Sequence, residues 1–217
     1  MIRSFKTLIL LCLFNSMLEA GSLTVMTLNV DNLFDTFDDQ KKDDKAFLPI
    51  EKKNSETHVI QCNRIRVLKW RNECLYLDWN QETKNAKLTN LAKNIISYNQ
   101  DGADVIALQE IENMYILNEL FLLLKPYGYI DISLLESKDR RGIDTAFISK
   151  YEISNPKLHY IKFKSKNRDT RPIFEVDIRI NNKVIKFYNL HFPSNFYPID
   201  MRIDSVSYTH LTLPTKA

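Results

Sequence analysis

The sequence predicts a mixed α/β fold, and three observations carry that reading. Apolar residues recur at helical spacing only before Pro126, and short strand-like runs crowd the rest of the chain. One early run, ADVIALQ (Ala103–Gln109), is apolar almost throughout, as in a strand buried on both faces. The late strands follow one another without helical segments between them, which implies antiparallel pairing.

The elements read in order as follows. Leu23–Asn29 (LTVMTLN) alternates and is rich in strand formers, so it is the first strand. Val30–Asp39 is a polar loop leaving its end. Residues 40–60 are charged and contain Pro49, an irregular surface insertion. Arg64–Trp79 mixes bulky apolar residues with arginines and fits neither period. Leu88, Leu91, Ile95 and Ile96 mark an amphipathic helix running to about Tyr98, broken by Asn99-Gln100-Asp101-Gly102. After the strand at Ala103–Gln109, Met114–Leu124 is a second helix, ended by Pro126 and Gly128. Strands are then expected at Tyr129–Leu135, Ile143–Ser149, Leu158–Phe163, Ile173–Ile180 and Val184–Leu190. No internal repeat or low-complexity block is present.

With 217 residues the chain is long enough for one domain with a core, and four glycines exclude a glycine-rich filament. Its 30 basic and 27 acidic residues nearly balance, so net charge by itself does not argue for nucleic acid. The amino terminus is arranged as a secretory signal. Arg3 and Lys6 precede an apolar run from Thr7 to Phe14, and Ser16–Ala20 ends in a small residue. The run is too short to span a bilayer, and Leu10 and Leu11 before Cys12 do not suit a lipid anchor. Export would leave Cys62 and Cys74 in an oxidising compartment as a possible disulfide, with two unlinked thiols as the alternative. Two cysteines with His58 make a poor zinc site.

Three polar residues follow apolar runs where a strand meets a loop: Asn29 in TLN, Glu110 in ALQE and Asp144 in RGID. Side chains at strand ends are held by rigid backbone and reached by solvent. Glu110 is the best candidate ligand for a hard cation such as Mg²⁺, which takes oxygen donors and keeps several waters. His191, in NLHFPS, can orient a phosphate or move a proton, and Asp144 could fix its tautomer. Arg171, in DTRPIFEV, offers a guanidinium fork to phosphate oxygens, and Arg141, in DRRGID, is a second candidate contact.

Taken together and in order, TLNVDNLFDT, DVIALQEIEN, DRRGIDTAFIS, TRPIFEV and NLHFPS resemble the endonuclease/exonuclease/phosphatase family, which includes deoxyribonuclease I. The similarity runs from about Leu23 to Arg202, and its opening motif resembles a bacterial branch of exported endonucleases. The resemblance implies a two-sheet α/β sandwich with outer helices, incomplete at the carboxyl terminus. It implies that Glu110 binds the divalent cation (Mg²⁺, or Mn²⁺ or Ca²⁺) and that Asn29 helps position metal or phosphate. Asp144 would pair with His191, Arg171 and Arg141 would contact substrate phosphate, and His191 would stabilise or protonate the phosphoryl group.

The family's GDxN-like and SDH-like motifs do not occur in the sequence. The expected organisation is therefore a signal at 1–20, a partial catalytic domain at 21–204 and a non-native tail at 205–217, where SVSYTHLTLPTKA resembles translated adapter read-through. Expected consequences are little or no hydrolysis by the chain as written, and an apolar sheet face left bare. The functional expectation is a monomeric, secreted or periplasmic metal-dependent endonuclease acting on nucleic acid. Alternatives are a lipid phosphodiesterase or phosphatase of the same fold, or a non-catalytic exported binding module.

Overall fold

A computed structural model describes residues 22–161 and 171–192. The expected signal segment, the end of the strand expected to reach Phe163, and the tail from Ser205 lie outside the described residues.

Two sheets face each other. The first has the order β1-β2-β4-β3, formed by Val25–Leu33 (β1), Val105–Ile111 (β2), Asp131–Leu134 (β3) and Asp144–Ser149 (β4). β1 and β2 are parallel, while β2–β4 and β3–β4 are antiparallel. The second is an antiparallel sheet of Ile153–His159 (β5), Ile173–Ile180 (β6) and Lys183–Asn189 (β7). The long connection from β1 to β2 carries helices at Glu56–Asn63 (α1), Leu68–Tyr76 (α2) and Gln81–Ile96 (α3), and Met114–Leu124 (α4) follows β2.

Side-chain alternation sorts β2 between two cores. Ile106 and Leu108 pack with Leu88 and Ile95 of α3 and with Leu117 and Leu120 of α4. Val105 and Ala107 face the other way and join Phe147 of β4 against Phe174, Val176 and Ile178 of β6. The bare apolar face expected of the first sheet is therefore not found. Helices cover one side and β6 covers the other, because the alternating IFEVDIRI strand supplies a second apolar face.

The predicted helix at Met114–Leu124 and strand at Ile173–Ile180 have the observed bounds. Other differences have local causes. α3 begins at Gln81, two turns before its apolar stripe, because the Asn80 side chain caps it by accepting from the Thr83 N–H. β1 runs on to Leu33 through the polar residues expected to form a loop. β5 starts at Ile153, earlier than Leu158, and its register with β6 shifts between Ser154 and Lys157, where Asn155 has φ +51° and Pro156 follows.

The segment expected to be irregular contains 3-10 turns at Lys45–Phe47 and Ile50–Lys53 and then α1. No apolar stripe announces α1 and α2, because tertiary contacts hold them. Cys62 and Cys74 are joined, with Cα atoms 5.6 Å apart. Lys53, 3% exposed, donates to the carbonyls of Ala46, Glu73 and Leu77 at 2.8, 3.2 and 2.6 Å. Burial lowers the pKa of this lysine to about 8, so the three carbonyls matter to its charged form. Phe34, Phe47, Trp79 and Ile143 form a small separate core that ties this segment to the ends of β1 and β4.

Candidate active site

The site begins with a fault shared by two parallel strands. β1 and β2 stay in register from Val25–Val105 to Asn29–Gln109, and the next aligned pair is Leu33–Ile111. The extra residues are absorbed at positive φ: Asp31 (+53°), Asn32 (+61°) and Glu110 (+70°). β4 registers the same break, pairing with Gln109 and then with Ile111. This is a bulge, which re-aims a side chain. Strict alternation would turn Ile111 toward β6, yet it packs in the helix-side core beside Leu108. The bulge frees Glu110 from that alternation at the strand end. A glutamate in the left-handed region is uncommon and strained, and such strain concentrates at functional sites.

Glu110 is held from several sides. Its Oε2 accepts from the Asn32 N–H at 3.1 Å, and Nε2 of His191 lies 3.2 Å from its Oε1. The contact with His191 does most to lower the Glu110 pKa, to about 2 against the opposing effect of burial; Asn29 and the Arg171 charge add to it. The carboxylate is thus ionised at any physiological pH. Lys87 of α3 donates to the carbonyls of Asp31 and Asn32, which fixes the bulged end of β1. Asn29 accepts from the Asp31 N–H at 2.8 Å, an Asx-type turn that shapes the same bend.

The expected pairing of Asp144 with His191 is not formed. The His191 ring meets Glu110 through Nε2, and its buried Nδ1 has no partner among the described residues. Asp144 begins β4, where its Oδ1 accepts from the Ser137 N–H at 3.0 Å and its buried Oδ2 has no partner there either. Burial raises its pKa to about 6. Asp144 and Arg171 line one small internal gap together with Leu135, Ile143 and Leu158.

Arg171 and Arg141 converge on Asp139. Nε of Arg171 lies 3.5 Å from Asp139 Oδ2, and Arg141 donates to both carboxylate oxygens at 3.3 and 3.1 Å. Burial works to raise the Asp139 pKa, but the two guanidiniums outweigh it and the net shift is downward. Arg171 is nearly buried and acts on Glu110 electrostatically, whereas the Arg141 side chain is 47% exposed.

Two residues not singled out from the sequence anchor the site from beneath. Asn189 of β7 reaches across the sandwich. Its amide donates to the carbonyls of Leu108 and Ala146 at 2.8 and 3.0 Å and accepts from Gln109 at 2.7 Å. Gln109 precedes Glu110, and Asn189 stands two positions before His191. One buried amide pair therefore joins the strand ends that carry Glu110 and His191. Both amides lay in recognised motifs, ALQE and NLHFPS, so the available signal was a polar residue inside an otherwise apolar strand.

The donor set fits a hard divalent cation: an ionised carboxylate and an amide oxygen, with no thiolate or additional imidazole at Glu110 among the described residues. A different trio, His58, Cys62 and Cys74, keeps its ligand atoms within 4.8 Å, but the two sulfurs are bonded to each other.

A two-sheet sandwich with a bulged glutamate and a histidine at adjacent strand ends defines the class of scaffold. Residues 75–198, more than half of the chain, match the model of the Endonuclease/Exonuclease/phosphatase family, and the chain belongs to that family. Its members are hydrolytic phosphoesterases. Among solved structures it is similar to an endonuclease/exonuclease/phosphatase family protein from Leptotrichia buccalis C-1013-b. Identity there is 21%, coverage is 64% of this chain and 59% of that one, and the TM-score is 0.45. It is also similar to ANGEL2, a 2′,3′-cyclic phosphatase (15% identity, 86% and 45% coverage, TM-score 0.47). A third is TDP2 from Caenorhabditis elegans (14% identity, 54% and 32% coverage, TM-score 0.38). The chain spans less than two thirds of the length of each. No curated protein matches it.

Proposed function

We propose that the protein is an exported, divalent-metal-dependent phosphodiesterase that cleaves nucleic acid. The observation that carries this reading is Glu110, thrown out of β2 by a strained bulge and held ionised beside His191. Glu110 would hold Mg²⁺ with the help of Asn29, and the cation would neutralise charge that develops on the phosphoryl oxygens. His191, once its Nε2 leaves Glu110, is free to hydrogen-bond or protonate a phosphate oxygen. Arg171, oriented by Asp139, supplies fixed positive charge to the same anion. Asp144 has an unpartnered oxygen beside Arg171 and would help hold the region in which that charge is presented. Residues 1–20 would direct export and be removed, and residues 205–217 would take no part.

Mn²⁺ titration followed by water-proton relaxation tests the reading. The 217-residue chain should bind Mn²⁺ with Mg²⁺ as competitor, and E110Q should lose that binding. Equal Mn²⁺ affinity in E110Q would remove Glu110 from the metal site. Plasmid nicking should require Mg²⁺ and stop in EDTA, and nicking that persists in EDTA would overturn the metal dependence.

A further inference from the structure

A cleft of about 430 Å³, not lined by Glu110, lies between residues 40–45, the α1–α2 pair and the loop before β4. Lys41, Lys42, Lys45, Arg64 and Arg140 line it, and Asp43 is the acidic residue in its wall. A chain with 30 basic and 27 acidic residues overall has concentrated five cations against one anion in a single concavity. Low-dielectric walls around like charges focus their field into the opening.

The cleft is a built feature. The Asp43 N–H donates to the Arg140 carbonyl at 2.7 Å. Lys42 lies along the far wall and donates to the carbonyls of Ser137 and Asp139, both at 3.3 Å. Gly142, at φ +69°, makes room for the Lys42 stem, since a Cβ there would stand 3.3 Å from Lys42 Cγ. Cys74 lines the opposite wall, so the disulfide holds α1, and Arg64 after it, against α2. Lys42 and Lys45 have neighbours that balance part of their charge, a pair of carbonyls and Asp44 respectively. The exposed head groups of Lys41, Arg64 and Arg140 meet no acidic or accepting partner among the described residues. Holding five like charges together with so few counter-charges costs free energy that a bound polyanion would recover.

The wall also leads to the reactive site. The loop that contributes Arg140 carries Asp139, which orients Arg171, and Ser137, which binds Asp144. We propose that this cleft binds the phosphate backbone of a nucleic-acid strand at a distance from the scissile bond. The inference rests on the nuclease reading above and adds a second contact region to it. A strand seated there would be registered relative to Arg171 through a loop of a few residues. The alternative polyanion, an anionic membrane surface, is flat and reaches a concave wall poorly.

The full 217-residue chain, in EDTA so that nothing is hydrolysed, is titrated with a fluorescein-labelled single-stranded deoxyoligonucleotide while anisotropy is followed. The triple variant K41Q/R64Q/R140Q should bind about tenfold more weakly. Its slope of log K against log salt should fall by about 2, three contacts at roughly 0.7 each. All three side chains are exposed, so the variant should unfold at the parent's temperature, a control made by circular dichroism. E110Q should keep the parent's salt slope. Unchanged affinity and slope in the triple variant would overturn the proposal. So would a parent chain that sediments with phosphatidylserine vesicles but does not bind the oligonucleotide, or one that binds neither. Failure of the metal reading, with E110Q still binding Mn²⁺, is a separate result and leaves this test intact.

Discussion

The two sheets bury their surfaces differently. The central strands of the first sheet, β2 and β4, have apolar side chains on both faces, between helices and the second sheet. The second sheet buries its apolar side chains mainly where it faces the first. Its outer face carries Glu175 and Asp177, which meet His159 and Lys186 on neighbouring strands. Nε2 of His159 lies 2.7 Å from Glu175, and Lys186 donates to Glu175 and Asp177 at 2.9 and 2.7 Å. The first sheet is a rigid floor that positions Glu110, and the second is a half-solvated lid joined to it by Phe147, Phe174 and one amide pair. Stability should therefore reside in the interface between the sheets and very little in the charged outer face.

The strongest way to break that difference is F147A. Phe147 is 1% exposed and packs against Phe174 and Phe187, so its loss should cost about 3–5 kcal/mol in urea unfolding. An intact midpoint would show that the sheets are not held by this core. N189A should be next, at about 2–3 kcal/mol, because it removes a donor from the buried carbonyls of Leu108 and Ala146 and the shortest of the Gln109 amide's three acceptors. Its NMR signature should be a moved His191 ring resonance, which a purely local packing loss would leave in place.

The smallest neutral-pH effect should come from K186A on the outer face, where the lysine is half exposed although its partners Glu175 and Asp177 are nearly buried. Its consequence lies in acid. Hydrogen bonds from Lys186 hold the Glu175 and Asp177 carboxyls below their usual range. Their contribution is present above the ordinary carboxylate pKa of about 4 and is lost as pH falls below it. K186A should flatten that acid limb, as read from urea midpoints across the pH range, and an unchanged limb would assign acid sensitivity elsewhere.

The candidate site was legible where chemistry coincides with local pattern. Glu110, His191 and Arg171 each adjoin or begin an apolar strand, and the structure draws the three together electrostatically. Asp144 shows the limit. Its position at a strand start was readable, but its partner was not, because which carboxylate a ring meets depends on how far each strand end projects. Gln109 and Asn189 were visible as letters in the motifs, and their bond spans eighty residues of sequence.

The sequence by itself determined the mixed class, the helix at Met114–Leu124, the strand at Ile173–Ile180 and the family motifs, because burial on one or both faces leaves a period in the chain. Only the tertiary structure decided the course of residues 40–79, whose helices carry no apolar stripe and are held by a disulfide and the buried Lys53. It also decided the direction of Glu110. A left-handed φ in a non-glycine residue is imposed by strands on either side whose register must shift, and no local propensity announces it.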